Sequence, residues 1–161
     1  MCFSSYGKVY WIKVYRLPKG GRNAKGRPIV NLLPLEKDER IQAVLPVKEF
    51  KDDHFIFMAT ESGSVKKTKL SAYSRPMKTG IKAIKLRDGD RVVNAEITDG
   101  SKEIMLFSNS GKSIRFKESD ARPMGRVSQG VRGMRLEKNQ KIISLVVLDE
   151  GNIPVSYTHL R

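Results

Sequence analysis

The residues of this chain that could do chemistry are lysines and arginines, and they come in three groups. Windows 8–27, 62–87 and 111–136 hold 7, 8 and 7 basic residues but only 0, 0 and 2 acidic ones, so 22 of the 31 cations sit among 2 of the 17 anions. A surface that needs charge only for solubility intersperses the signs. Blocks of one sign at regular intervals instead offer ion pairing to a polyanion, as do the formal charge of +14 and the pI near 10. The candidate contacts are Lys19, Arg22, Lys25 and Arg27 in a glycine-rich loop; Lys66, Lys67 and Lys69 on a strand, with Arg75 and Lys78 in the loop after it; and Arg115, Lys117, Arg122, Arg126 and Arg132. In the glycine-rich loop, backbone amides can also approach phosphate. An idle basic surface is the competing reading of the composition.

Other chemistries find little to build on. No Ser/His/Asp, Cys/His or paired-carboxylate set is present, and Cys2 with His54 and His159 makes no zinc site. SGKS at 110–113 is like the end of a phosphate-binding loop, but that motif needs glycine where Leu106 stands and must open a helix. We expect no catalysis, metal or cofactor in this chain. With no long apolar run and no signal-like start, a cytoplasmic protein is expected, with no membrane partner and no small-molecule substrate.

The cations need elements to position them, and an internal repeat supplies these. FSSYGK, ATESGS and FSNSGK align on Gly7, Gly63 and Gly111. Gly26, Gly80 and Gly130 are each followed six residues later by Leu32, Leu86 and Leu136. LEKDERI, LRDGDRV and LEKNQKI recur at spacings of 51 and 50. Each unit reads as strand (FIFMAT, EIMLFS), glycine turn, second strand (VYWIKVYRL, SVKKTKL, SIRFK), a Pro, Gly and Arg rich connection, third strand (PIVNLLPL, IKAIKL, VRGMRL), polar turn, and fourth strand (IQAVLPV, VVNAEIT, IISLVVL).

No stretch has a sustained helical stripe, so the chain is expected to be all-β: a propeller-like array of four-stranded blades, with a single sandwich as the alternative. The blades are expected at roughly 1–53, 54–101 and 102–153, leaving PVSYTHLR, 154–161, outside the pattern. The glycines are expected as turn formers. Tyr10, Trp11, Tyr15 and Phe116 are expected in blade cores, and Glu36, Glu39, Asp88 and Asp90 as solvated turn residues.

The strings GKVYWIKVYRLP, GRPIVNLLPLE, SGSVKKTKLSAYSRP and RFKESDARPMGRVSQGVRGMRL together closely resemble the C-terminal domain of the A subunit of bacterial DNA gyrase, over residues 3 to about 153. The resemblance implies a β-pinwheel, a six-bladed propeller relative whose blades exchange strands, of which this chain supplies about three blades. It also implies wrapping of double-stranded DNA on the basic rim, so that a segment is presented to the strand-passage core of a type IIA topoisomerase for supercoiling. The rest of the gyrase A protein and the B subunit become the implied partners, with ATP and Mg used on other domains of the holoenzyme. The Gln, Arg, Gly and Lys rich box of that family does not occur in this chain, and Tyr6, Tyr10, Tyr15, Tyr73 and Tyr157 do not stand in its catalytic-tyrosine motif. The equivalent domain of topoisomerase IV, and a basic propeller scaffold for RNA or acidic protein, are the alternatives. The absence of a recognition helix and the scarcity of Asn and Gln in the loops imply binding with little sequence preference.

Overall fold

The computed structural model describes residues 1–149, so the tail expected at 154–161 lies outside the described residues. The described chain is all β apart from short 3-10 turns. In chain order the strands are β1 (Cys2–Ser4), β2 (Lys8–Tyr10), β3 (Ile41–Val44), β4 (Phe55–Thr60), β5 (Ser64–Lys69), β6 (Ile81–Lys82), β7 (Val92–Thr98), β8 (Glu103–Ser108), β9 (Ser113–Lys117), β10 (Val131–Arg132) and β11 (Ile142–Leu148). They form three antiparallel sheets, ordered β3-β1-β2-β6, β7-β4-β5-β10 and β11-β8-β9.

The sheets do not coincide with the sequence units. Each of the first two hairpins takes its outermost strand from the next unit: β6 pairs with β2 through Val9↔Ile81, and β10 pairs with β5 through Val65↔Val131. The exchange is secured by paired amides on single carbonyls. Ala83 and Ile84 donate to Gly7 O at 2.7 and 3.2 Å; Gly133 and Met134 donate to Gly63 O at 2.8 and 3.1 Å. The expected third strands are therefore only two residues long. In the first unit PIVNLLPL forms no strand: Ile29–Asn31 is an exposed 3-10 turn, with no sheet neighbour to extend it among the described residues. VYWIKVYRL likewise leaves the sheet after Tyr10 and turns at Val14–Arg16.

Neighbouring sheets meet face to face, and β3, β7 and β11 converge at one edge of the stack. This explains why FIFMAT is an unbroken buried run instead of an alternating one. Ile56 and Met58 pack with Phe3, Val9 and Leu45 between the first two sheets, while Phe57 and Ala59 pack with Ile104, Leu106 and Leu145 between the second and third. A strand buried on both faces has no polar side. Tyr10 is buried, and Trp11 and Phe116 pack half-buried against the cores, but Tyr15 is 79% exposed and so corrects its expected core assignment.

The polar turn has a backbone requirement that three different residues meet. Asp38, Gly89 and Asn139 occupy equivalent positions with φ of 64°, 76° and 69°, and Asp, Asn and Gly are the types that tolerate this left-handed region. Glu39, expected in solvent, is buried. It accepts from the Tyr10 hydroxyl at 3.0 Å and from the Glu36 amide at 2.7 Å, closing the turn onto the core.

The exchange contact is tight at the turn glycines. At Gly63, with φ of 85°, a Cβ would stand 2.5 Å from Met134 O; at Gly89 it would meet nothing within 4 Å. Gly89→Ala is thus expected to cost the roughly 1–2 kcal/mol of a left-handed alanine. Gly63→Ala adds a backbone collision that detaches β10, and its loss is expected to exceed that of Gly89→Ala by about 1 kcal/mol or more in urea unfolding. Equal losses would mean that the donated strand yields freely.

Candidate nucleic-acid interface

The distribution of charge follows the order of strands within each sheet. The inner pairs β3/β1, β7/β4 and β11/β8 contain no lysine or arginine. Every strand cation is on an outer strand: Lys8 on β2, Lys66, Lys67 and Lys69 on β5, Lys82 on β6, Arg115 and Lys117 on β9, and Arg132 on β10. Strand exchange adds the connections to the same edge. To reach β6, the chain leaving β5 must cross from the second sheet to the outer side of the first, and the chain from β9 to β10 makes the same crossing one sheet later. Residues 70–80 and 121–130 therefore lie along the rim.

Lys69, Arg75, Lys78, Arg122 and Arg132 are exposed there and make no ion pair among the described residues. Lys19, Arg22, Lys25 and Arg27 are exposed on the long first connection, again without an ion pair among the described residues. Arg115 is exposed but bonds Glu103 across the sheet through Nε at 3.0 Å and through its terminal nitrogen, and Lys117 stands in register with the same glutamate. Arg126 is half-buried and donates to Lys82 O at 2.9 Å, anchoring the third connection to the edge of the first sheet.

Two of the expected contacts point the other way. Lys66 is fully buried and Lys67 nearly so, which removes both from the set that can touch a phosphate. The crossing connection is laid over β5, so its lysines are used as internal donors. Lys66 Nζ donates to Ala83 O at 2.6 Å and to Arg126 O, which fastens the second unit's donated segment and the third connection together. Burial pushes its ammonium down to about 7, and the Arg126 guanidinium acts in the same direction. Lys67 lies 3.0 Å from the buried carboxylate of Glu118 and 4.4 Å from the Phe55 ring centroid. Glu118 also accepts from Thr98 Oγ1 at 2.6 Å and from the Gly100 and Lys102 amides at 3.0 and 3.2 Å. Its oxygens are thereby saturated, as a buried charge requires.

Lys82, Lys85 and Arg135 were not among the expected contacts, yet all are exposed. The repeat could have found them, since Lys82 aligns with Arg132 and Lys85 with Arg135 when Gly80 is set on Gly130.

Comparison with known proteins places the arrangement. The family model for the DNA gyrase C-terminal domain, beta-propeller, matches residues 1–48, 54–99 and 102–149. The chain belongs to this DNA gyrase C-terminal domain family. It is 54% identical over 147 residues to the DNA gyrase A subunit of Salmonella typhimurium and 55% identical over 147 residues to that of Escherichia coli K12; in each case 91% of the chain aligns. It spans 17% of the length of those relatives. Among solved structures, the C-terminal domain of DNA topoisomerase IV superposes with a TM-score of 0.85 at 29% identity, covering 92% of this chain and 46% of that one. The DNA gyrase A C-terminal domain gives 0.72 at 27%, covering 91% and 46%. The shared pinwheel fold accounts for both superpositions, and the higher sequence identities are to the gyrase A proteins.

Within this gyrase-family domain the buried cations make two measurable demands. Glu118→Gln leaves the Lys67 charge buried without a counter-charge, and a loss of roughly 3–5 kcal/mol is expected in urea unfolding. A loss below about 1 kcal/mol would show that Lys67 reaches water. For Lys66 the folded state gives up its proton near pH 7, whereas the unfolded chain keeps it to the ordinary value of 10.5. Between those limits the unfolded state binds the extra proton, so stability rises with pH; below about 7 the cost of the buried charge is fully present. The unfolding midpoint of the unsubstituted chain is expected to climb from pH 7 to 10 relative to Lys66→Met. Parallel pH profiles would show that Lys66 stays charged.

Proposed function

We propose that this chain binds duplex DNA along its outer edge through the phosphate backbone and bends it, as a wrapping module of a larger gyrase-type topoisomerase. The observation that carries the reading is the segregation of charge: the strands nearest the converging edge have no cation, while the outer strands and the exchange connections hold Lys69, Lys78, Lys82 and Arg132. Duplex DNA carries a negative charge about every 1.7 Å of axis, and each phosphate neutralised releases condensed counterion. Bending a site of 20 to 30 base pairs by 40 to 90° costs on the order of 1–6 kcal/mol, which several such contacts on each sheet offset. Lys19, Arg22, Lys25, Arg27, Arg75, Arg115, Lys117, Arg122 and Arg126 belong to the proposed track; Lys66 and Lys67 support it from beneath.

The family membership supports the wider assignment. Strand passage, ATP use and contact with a B subunit belong to other parts of the larger protein, and the chain's task is to hold DNA for them in the bacterial cytoplasm. The readout of DNA is by backbone and deformability, since the rim presents no helix to the major groove among the described residues.

Salt titration tests this. The affinity for a duplex of arbitrary sequence is expected to fall with a log-log slope of about −0.9 per phosphate contacted. Reversing charge at Lys78, Lys82 and Arg132 together is expected to flatten that slope by about 3, for all sequences alike. A slope unchanged by those substitutions, or an effect confined to one sequence, would refute the backbone track.

A further inference from the structure

The connections that cross the rim present more than charge. At equivalent repeat positions, three residues before Gly80 and Gly130, each crossing connection holds out an exposed apolar side chain: Met77 is 58% exposed and Val127 51%. Each has a basic residue beside it, Lys78 or Arg126, and residues 69–86 and 121–136 contain no acid at all. The first connection, which is laid on no hairpin of the described residues, has Asn23 at this position, and its exposed apolar residues, Val14, Tyr15, Leu17, Ile29, Val30 and Leu32, do not follow the pattern. Arg126 and Ser128 bond Lys82 and Lys85 at the outer edge of the first sheet, which fixes the third connection to the same rim.

A single apolar group held out in water selects no partner, since scattered ones occur on every protein surface. The recurrence at one repeat position on both crossing connections, each time in an acid-free cationic surround, selects a partner that is negatively charged outside and apolar within. Stacked base pairs behind a phosphate backbone have that construction, and proteins that bend DNA insert apolar side chains at base steps from the minor-groove side. We infer that Met77 and Val127 are wedges that press into base steps, so that the duplex is kinked at each exchange connection instead of curving smoothly over the rim. The neighbouring cations hold the phosphates on either side while the wedge opens the step. Pyrimidine–purine steps, which unstack most easily, are the preferred positions.

The inference rests on the DNA-binding reading, and one experiment separates the two. The variant Met77→Ala, Val127→Ala changes only exposed side chains. The chain and the variant are compared on a duplex of about 40 base pairs carrying end dyes for energy transfer and 2-aminopurine at central TA steps. The expected result is a similar salt slope for both, with the bend reduced by roughly 20° for each wedge removed and the 2-aminopurine brightening lost. Equal bending and brightening in both proteins, with the salt slope intact, would overturn the wedge and leave the backbone track standing. No salt-dependent binding by either protein would overturn both. Circular dichroism and the unfolding midpoint of the variant exclude loss of fold as the cause.

Discussion

Everything on the rim depends on where each hairpin obtains its outermost strand. The donated strand is two residues long, too short to hold itself, and its attachment relies on Gly7 O and Gly63 O each receiving two amides from the following unit. Only a turn with glycine in the left-handed region brings that carbonyl close enough, since a side chain would strike the incoming backbone. Once the strand is donated backwards, the connection leading to it has to pass outside the hairpins. It can have no packed face there, and the prolines, glycines and cations of SRPMKTG and ARPMGRVSQG suit a segment of that kind.

The same crossing explains the inward lysines. On β5 the residues Val65 to Thr68 are all buried, because one face meets a core and the other lies under the arriving connection. Met124 donates to Lys67 O at 2.8 Å, so the covering chain is bound to the strand by backbone as well. A long flexible side chain ending in three donors can reach carbonyls that no small residue could satisfy, and Lys66 does this for two segments at once. Lys67 instead meets Glu118, from the turn after β9, which binds the second sheet to the third. Two cations that read in the sequence as surface contacts are thus what holds the crossing connections in place.

The period, the hairpins and the exposed loops are legible in the sequence, because turn chemistry and alternation are local. FIFMAT and EIMLFS are strands within the bounds read from them, and Asp38, Gly89 and Asn139 mark one turn three times over. Exchange of strands is implied by the family resemblance alone, since nothing within IKAIKL says which hairpin it joins. Burial of Lys66 does have a signal in the repeat: the third position after the turn glycine holds the apolar residues Tyr10 and Ile114 in the other units, and Tyr10 is buried there, although Ile114 on the third sheet is exposed. Lys67 aligns with Trp11 and Arg115, and this mixture gives no such warning. Glu39 defeats a local reading because a carboxylate in a polar turn normally faces water, whereas here the Tyr10 hydroxyl beneath the turn needs an acceptor.

The three sheets do not offer their charge on equal terms. On the third, Arg115 is already bonded to Glu103, and Lys117 shares that glutamate's register, so binding phosphate there exchanges one ion pair for another and the net gain is small. At the outer side of the first two sheets, Lys69, Lys78, Lys82 and Arg132 are exposed and have no ion-pair partner among the described residues to give up. Their mutual repulsion is tolerated because Lys82 and Arg132 stand on the last strand of each sheet and the other two are also exposed, so that water and salt screen them. The donated strands therefore carry the cations readiest to pair. On the proposed reading, a duplex meets the rim first where β6 and β10 are laid on, which is also where the apolar tips of the crossing connections, Met77 and Val127, stand.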